Sequence, residues 1–425
     1  MKLNTISFST IVKCMILLWS TAQPLGTFAQ GRTFTLDEAI DAAIKGNAGL
    51  RSVALDVDVQ KQYKKVATEV PKTQAMLMYG QYNSLNKDNN VTITQSIPFP
   101  TVFTSQAKLG KLRILNSEYR RAASENELVY QVKQVYHHLQ YLMAVRRLLQ
   151  RQDSIFSDLV RISSLQLTTG EGTLLQKTSA ETRYNEVQNL LHQNEADSKT
   201  FGTQLQILLN AETAVSVVEV SYQPLSAPMM SDSSQVNTNP QLSYHRSLHD
   251  VALQEKRVES NKALPDLTVG YFNQTLIGFQ QQLDGTDRYF SSNDRFSGLM
   301  VGVAIPIWFV PTKARVKASA LRAESERYNF TYFEKQLRGE WHRAIQQFTK
   351  HQNSLDYYMK SALPNARLIL KQSLLAYKAG DISQAEYRLN LQQSLAIEDG
   401  YLQTVLQYNH DVIELEYLSG KYSKN

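Results

Sequence analysis

At 425 residues, with 42% hydrophobic and 20% charged residues, the chain has the composition of a folded protein and the length of two or three domain-sized units. Its 45 basic and 39 acidic residues leave a net +6 that is scattered, whereas a nucleic-acid binder would gather such charge in runs or on one face. The single cysteine, Cys14, argues against disulfides, thiolate metal clusters and a cysteine nucleophile.

Residues 1–29 read as a secretory signal. Lys2 supplies a positive start, Ile11 to Trp19 are apolar apart from Lys13, and Thr27-Phe28-Ala29 sets small residues where a signal peptidase reads them. The stretch is too short to span a bilayer as a stable helix. Cleavage after Ala29 removes Cys14 and lowers the charge to +4; Val12-Lys13 before the cysteine are not the small residues of a lipoprotein signal. No later segment offers about 18 uninterrupted apolar residues, so any membrane crossing falls to strands.

The rest of the chain repeats itself in order. Asn47-Ala48-Gly49-Leu50 is echoed by Asn239-Pro240-Gln241-Leu242, Pro71 by Pro265, and Ile97-Pro98-Phe99 by Ile305-Pro306-Ile307. Gly170-Glu171 recurs as Gly380-Asp381, and Leu208-Leu209-Asn210 as Tyr417-Leu418-Ser419-Gly420. The offset grows from 192 to 210 residues, mostly through an insertion between the strands of the second copy. This gives a first repeat at 30–210, a linker at 211–238 rich in Ser, Val, Pro and Asn, and a second repeat at 239–425.

Each repeat reads as helix, strand pair, very long helix, tight turn, helix. Thr35 with Glu38 makes a capping box that opens the first helix, and Pro71 ends it. Strands are predicted over 73–83 and 91–97, then over 266–277 and 296–307 around a longer polar loop. Leu299, Val301, Val303 and Ile305 alternate with Met300, Gly302, Ala304 and Pro306, and Val91 and Ile93 with Thr92 and Thr94. A period of two with one small or polar face fits a membrane barrel around a wet lumen. Leu128, Val132, Val135, Leu139, Leu142, Val145 and Leu149 step by threes and fours. With one skipped position, so do Leu337, Trp341, Ala344, Phe348, Leu355 and Met359, which is the coiled-coil period. A helix over 101–168 reaches about 100 Å at about 1.5 Å per residue, and helices over 171–209 and 239–263 return about 95 Å. The lengths balance, predicting a rod of antiparallel helices with strands at one end and two tips, 168–173 and 377–383, at the other. Four strands cannot enclose a wet lumen and free edges are not tolerated in lipid, so several chains must pool their strands.

With this ordered duplication and these glycine-centred tips, residues Thr33 to Gly420 resemble the TolC family of outer-membrane efflux ducts. TFTLDEAIDAAIKGN is similar to the family's opening helix and LLAYKAGDISQAEYRLNLQQSL to its second tip; KTQAMLMYGQYNSLNKDNNVTITQSIPFPTVF looks closest to the heavy-metal branch. The resemblance implies a mainly α fold with a membrane β part: a homotrimer pooling twelve strands into an outer-membrane barrel above a periplasmic helical tunnel. It also implies a passive exit duct, without a cofactor, in a Gram-negative envelope. The duct would serve an inner-membrane pump of the resistance-nodulation-division (RND) class through a periplasmic adaptor (membrane fusion protein). Metal cations or small toxic compounds would be the cargo.

The resemblance also assigns residues. Tyr377, three before Gly380, stands at the gate tyrosine, and Glu386, six after it, at an acidic ring that would attract cations. Ile382 replaces a frequent gate arginine, Leu389 a second acid, and Gln176 holds the first-copy position of Glu386. Both gate residues also have a plainer reading, as helix packing for Tyr377 and a solvated helix charge for Glu386. Thr169, Gly170, Glu171 and Gly172, with Lys378, Ala379, Gly380 and Asp381, are helix-ending turns placed to dock the adaptor.

His245 and His249 lie four apart on a predicted helix beside Asp250 and could face one metal ion, a spacing that also arises by chance. His137 and His138 are adjacent and read as packing or surface residues. Arg146, Arg147 and Arg151 read as a salt-bridging or solvated face. Tyr79, Tyr82, Tyr271, Phe272, Phe296 and Trp308 suit interface girdles. No phosphate loop, nucleophile elbow or zinc-protease motif occurs, so no enzyme is expected. Against the duct stand two alternatives: a periplasmic coiled-coil scaffold or adaptor without a pore, and an envelope hydrolase whose catalytic cluster the sequence does not display.

Overall fold

Thr35 opens the first helix as its spacing predicts: its hydroxyl accepts from the Glu38 amide at 3.3 Å, and the Glu38 carboxylate accepts from the Thr35 amide at 2.9 Å. The computed structural model describes residues 32–83, 85–227 and 233–420; the signal segment and Cys14 lie outside the described residues. A short strand β1 (Arg32–Phe34) precedes this cap. The opening helix then divides into α1 (Leu36–Gly46) and α2 (Ala48–Lys65), followed by a 3-10 turn, which corrects the single helix expected up to Pro71. The break is chemical. Asn47 adopts an extended backbone, its side-chain oxygen accepts from the Leu50 amide at 3.0 Å, and the new helix starts there.

Strands β2 (Gln74–Gly80) and β3 (Asp88–Ile97) follow, then the 70-residue helix α3 (Pro100–Thr169) and its return α4 (Leu174–Leu209). Residues 211–238, expected as linker, contain β4 (Val215–Val217), which pairs in parallel with β1, and a 3-10 turn at Ser233–Thr238. The second half runs α5 (Pro240–Asn261), β5 (Asp266–Gln274), β6 (Gly278–Gln281), β7 (Asp287–Phe290) and β8 (Phe296–Ala304). Its helical arm is α6 (Phe309–Tyr357), a five-residue π turn (Tyr358–Ala362) and α7 (Leu363–Ala379), with α8 (Gln384–Ser419) returning. The predicted polar loop between β5 and β8 thus carries a hairpin, β6–β7. Both flanking strands are three residues shorter than expected at their C-terminal ends, and β3 starts three residues earlier.

The π turn explains a further departure. Leu337, Trp341, Ala344, Phe348 and Leu355 are buried as their spacing predicts, yet Met359 is 47% exposed. One wider turn rotates the stripe off the core at that point. Pro364 follows the π turn directly within a continuous helical arm, where it lacks the N–H that would bond back along that arm. A Cβ at Gly400 of α8 would collide with the Tyr358 hydroxyl, so glycine there lets the tyrosine of the π turn lie against α8.

The helices form two layers end to end. Next to the strands, α2, α3, α5 and α6 lie side by side in that order; toward the tips, α4 packs on α3, α3 on α8, and α8 on both α6 and α7. Near the middle, Phe34, Ile40, Val132, Leu205 and Val217 bury one core, while Leu242, Trp341, Phe348, Val412 and Leu415 bury its counterpart. Phe156, Leu159, Val187, Tyr387 and Leu391 fill the space below.

Two asparagines tie each half together at this level. Asn47 donates to the Leu208 carbonyl at 3.1 Å, near the end of α4. Asn239, 1% exposed, caps α5 through the Gln241 amide at 2.8 Å and donates to the Leu418 carbonyl at 3.0 Å, near the end of α8. Each closes the start of a repeat onto its own last turn. Asn239→Ala removes a helix cap and orphans a buried carbonyl. We expect it to cost about 2 kcal/mol, read as a lower midpoint in denaturant unfolding with an unchanged slope.

Candidate functional site

Strand register sorts the sheet into two faces. The order β2-β3-β5-β8 is antiparallel throughout, and directly opposed residues share a face. Leu77 opposes Val91, Ile93 opposes Tyr271, Leu267 opposes Val303 and Val269 opposes Val301, so one face is nearly all apolar. It is also bare: Leu299 and Val301 are 85% and 84% exposed. The other face carries Thr92, Thr94, Thr268, Gly270, Gly298 and Gly302, small or polar. Among the expected girdle aromatics, Tyr79, Tyr271 and Trp308 are exposed. Phe272 and Phe296 correct that expectation, because their register puts them on the Thr92 and Gly298 face. Within this sheet β2 and β8 are the edges, and each leaves one side unpaired.

At the opposite end both tips are built alike. Gly170 and Gly380 end α3 and α7 with φ of +80° and +83°, which glycine adopts without strain. The amides of Glu171 and Asp381 then bond back to Gln166 and Ala376, each at 2.9 Å. Thr169, Gly170, Glu171, Lys378, Ala379, Gly380 and Asp381 are exposed and Gly172 is half-buried against Gln166.

Each return helix opens with a capping box that glycine-centred reading of the tips passes over. Thr173 pairs with Gln176 and Ser383 with Glu386, both in the S/T-x-x-E/Q pattern that marks a helix start. Glu386 therefore serves its own helix, since its carboxylate accepts from the Ser383 amide at 2.9 Å and hydroxyl at 3.1 Å. Those bonds hold its pKa below the ordinary carboxylate value. Gln176 accepts from the Thr173 amide at 2.9 Å in the same geometry without the charge. Tyr377 lies parallel to Tyr387, ring centroids 5.0 Å apart, and so locks the last turn of α7 to the first of α8.

The histidines serve packing. His245 stacks on Phe333 with centroids 4.1 Å apart, burial lowers its pKa, and His249 lies 3.9 Å from Asp250. Among the described residues no three or more His, Cys, Asp or Glu converge as a metal set. Arg147 pairs with Glu219 and Arg151 with Glu398, so this basic cluster bridges elements. His138 stacks on Phe201 at 3.8 Å.

His137 is 6% exposed; burial, with Lys133 nearby, pushes its pKa down to about 4 although Gln140 lies beside the ring. His410 is likewise pushed to about 4, by burial and then by His138. Both fold neutral, below the 6.5 of a free imidazole, so the stability they permit is complete above pH 6.5 and lost as pH falls toward 4. Asp411, raised by burial although His351 Nδ1 lies 2.6 Å away, titrates in the opposite sense and offsets part of this. We expect the melting temperature to drop between pH 6.5 and 4, with each histidine accounting for up to about 3 kcal/mol. His137→Gln and His410→Gln should each flatten that profile in thermal scans across the range.

No protein-family model and no curated protein matches the sequence. Solved structures do. CusC, studied for the conformational changes accompanying folding and transmembrane channel formation, matches with a TM-score of 0.75 at 15% identity, over 95% of this chain and 96% of its own. The Campylobacter jejuni CmeC outer membrane channel matches with a TM-score of 0.73 at 14% identity, over 91% and 85%. The open-state MtrE outer membrane channel of Neisseria gonorrhoeae matches with 0.73 at 16%, over 91% and 89%. Scores this close single out no branch among them, and from sheet to tips the chain has the fold of these outer-membrane channels.

Proposed function

We propose that this chain is one protomer of a homotrimeric exit duct in the outer membrane of a Gram-negative cell, built from two copies of one helix–strand–strand–helix–helix unit. One observation carries the reading: a four-stranded sheet with a bare apolar face and two unpaired edges. Lipid suits that face, and only further strands suit those edges. The helices beneath agree. On α2, Leu55, Val59 and Tyr63 form an exposed stripe at helical spacing that Val66 continues in the 3-10 turn; on α6, Leu321, Tyr328 and Tyr332 form another. These are the two edge helices of the upper layer, so the stripe of one copy meets the other stripe of its neighbour and the ring closes head to tail. A pore-less scaffold would have no use for the bare sheet face.

Small toxic compounds would pass from an RND-class pump through a periplasmic adaptor seated on the tips. Leu165 and Leu375, exposed one turn before Gly170 and Gly380, give both tips the same apolar contact for that adaptor. A metal cargo rests on the likeness of one strand-pair segment to the heavy-metal branch. Tyr377 and Glu386 are the gate residues of this reading, acting through the tyrosine stack and a ring of carboxylates at the constriction.

Outer-membrane fractions should yield oligomers that dissociate only on heating, and purified oligomers should conduct in planar bilayers. Tyr328→Asp should shift the protein to monomers and abolish conductance, whereas soluble wild-type monomers would refute the duct. Glu386→Gln keeps the cap, as Gln176 does, and removes the charge. Unchanged stability with altered cation preference identifies a gate residue; unchanged stability and unchanged preference leaves Glu386 a helix cap.

A further inference from the structure

Directly below the sheet, a groove of about 870 Å³ is lined by all four helices of the upper layer and by the segments entering the strands. Because α2 and α6 are opposite edges of that layer, a groove touching both lies on its concave face. In the closed ring that face looks onto the axis.

The charges in this groove do not balance. Lys64, Arg113, Lys262, Arg315 and Arg322 line it against Glu69, Glu255 and Glu259. Glu255 is bonded by Arg113 at 2.8 Å, and Arg322 stands off at 3.9 Å. Glu259 is bonded by Lys262 at 2.8 Å, with Arg315 at 4.0 Å; Arg315 also donates to the Thr312 hydroxyl at 3.4 Å. Glu255 and Glu259 thus each have one close cation and one distant arginine. The side chains of Arg315 and Arg322 are 64% and 69% exposed, so their guanidinium forks can accept a second anion. Leu109 and Val258, nearly buried, form an apolar floor of the groove, and Val70 adds exposed apolar surface beside it.

We propose that this groove is a vestibule that binds amphiphilic organic anions during export. Arg315 and Arg322 take the carboxylate, sulfonate or phosphate head, and the Leu109–Val258 floor takes the apolar body. A planar guanidinium fork can hold a carboxylate, sulfonate or phosphate through two parallel bonds, which a lysine ammonium cannot. Repeated around the ring, the cations set a positive girdle that disfavours metal cations as cargo. The proposal rests on the duct reading and deepens it.

The test uses the full-length oligomer in planar bilayers, with naphthalene-2-sulfonate as probe and 2-naphthylmethylammonium as its cationic counterpart. The sulfonate should reduce the potassium chloride current and the ammonium should not. Arg315→Glu/Arg322→Glu should raise the half-blocking sulfonate concentration about tenfold or more, the loss of one charge-assisted contact. The milder Arg315→Gln/Arg322→Gln covers the case in which the charge reversal prevents assembly. Lys313→Glu/Arg327→Glu makes the same charge change on the other side of α6, by the helical step of about 100° per residue, and should leave block unaltered. Equal block by both probes, or block unaffected by the groove variants, overturns the vestibule while leaving the duct intact. A complete lack of conductance in the wild type overturns the duct and the vestibule together.

Discussion

Everything in this fold answers to two free strand edges. β2 and β8 each present a row of backbone donors and acceptors on one side, and the face between them is apolar and bare. In water such a sheet aggregates; in lipid an unpaired edge is costlier still, because nothing there replaces the missing hydrogen bonds. On the reading proposed above, assembly with further copies is what completes this sheet. The same incompleteness runs down into the helices, where α2 and α6 end the upper layer with apolar stripes that none of the described elements covers.

Much of this is legible in the sequence because periodicity is a local signal. Val132, Leu139, Trp341 and Phe348 are buried where steps of three and four put them. The alternation around Leu299 to Val303 marks the two sheet faces in advance. What periodicity cannot show is set by single side chains competing for backbone. Asn47 cuts one helix into two, and its echo at Asn239 marks a shared cap and a shared tie to the returning helix. The β1–β4 pair joins residues more than 180 apart through three positions each, too short for any pattern to announce.

The tips show a different limit. Family likeness singles out Glu386 for its charge, whereas in the fold it makes a capping bond that Gln176 makes equally well. The pattern S/T-x-x-E/Q is readable at 173–176 and 383–386, but it stands directly behind a glycine turn, which is the stronger local signal. The groove cations lie beyond sequence reasoning altogether. Arg113, Arg315 and Arg322 come from helices far apart in the chain and share a neighbourhood only through Glu255 and Glu259.

The π turn at Tyr358–Ala362 makes the two halves unequal. The first hairpin descends as an uninterrupted α-helix, while the second takes in extra residues and leans Tyr358 over Gly400. Two arms that echo each other in sequence thus differ in helical winding on the way to the tips. A ring of three copies would offer six rims of two alternating kinds, and a binding partner able to tell them apart could settle in one phase only.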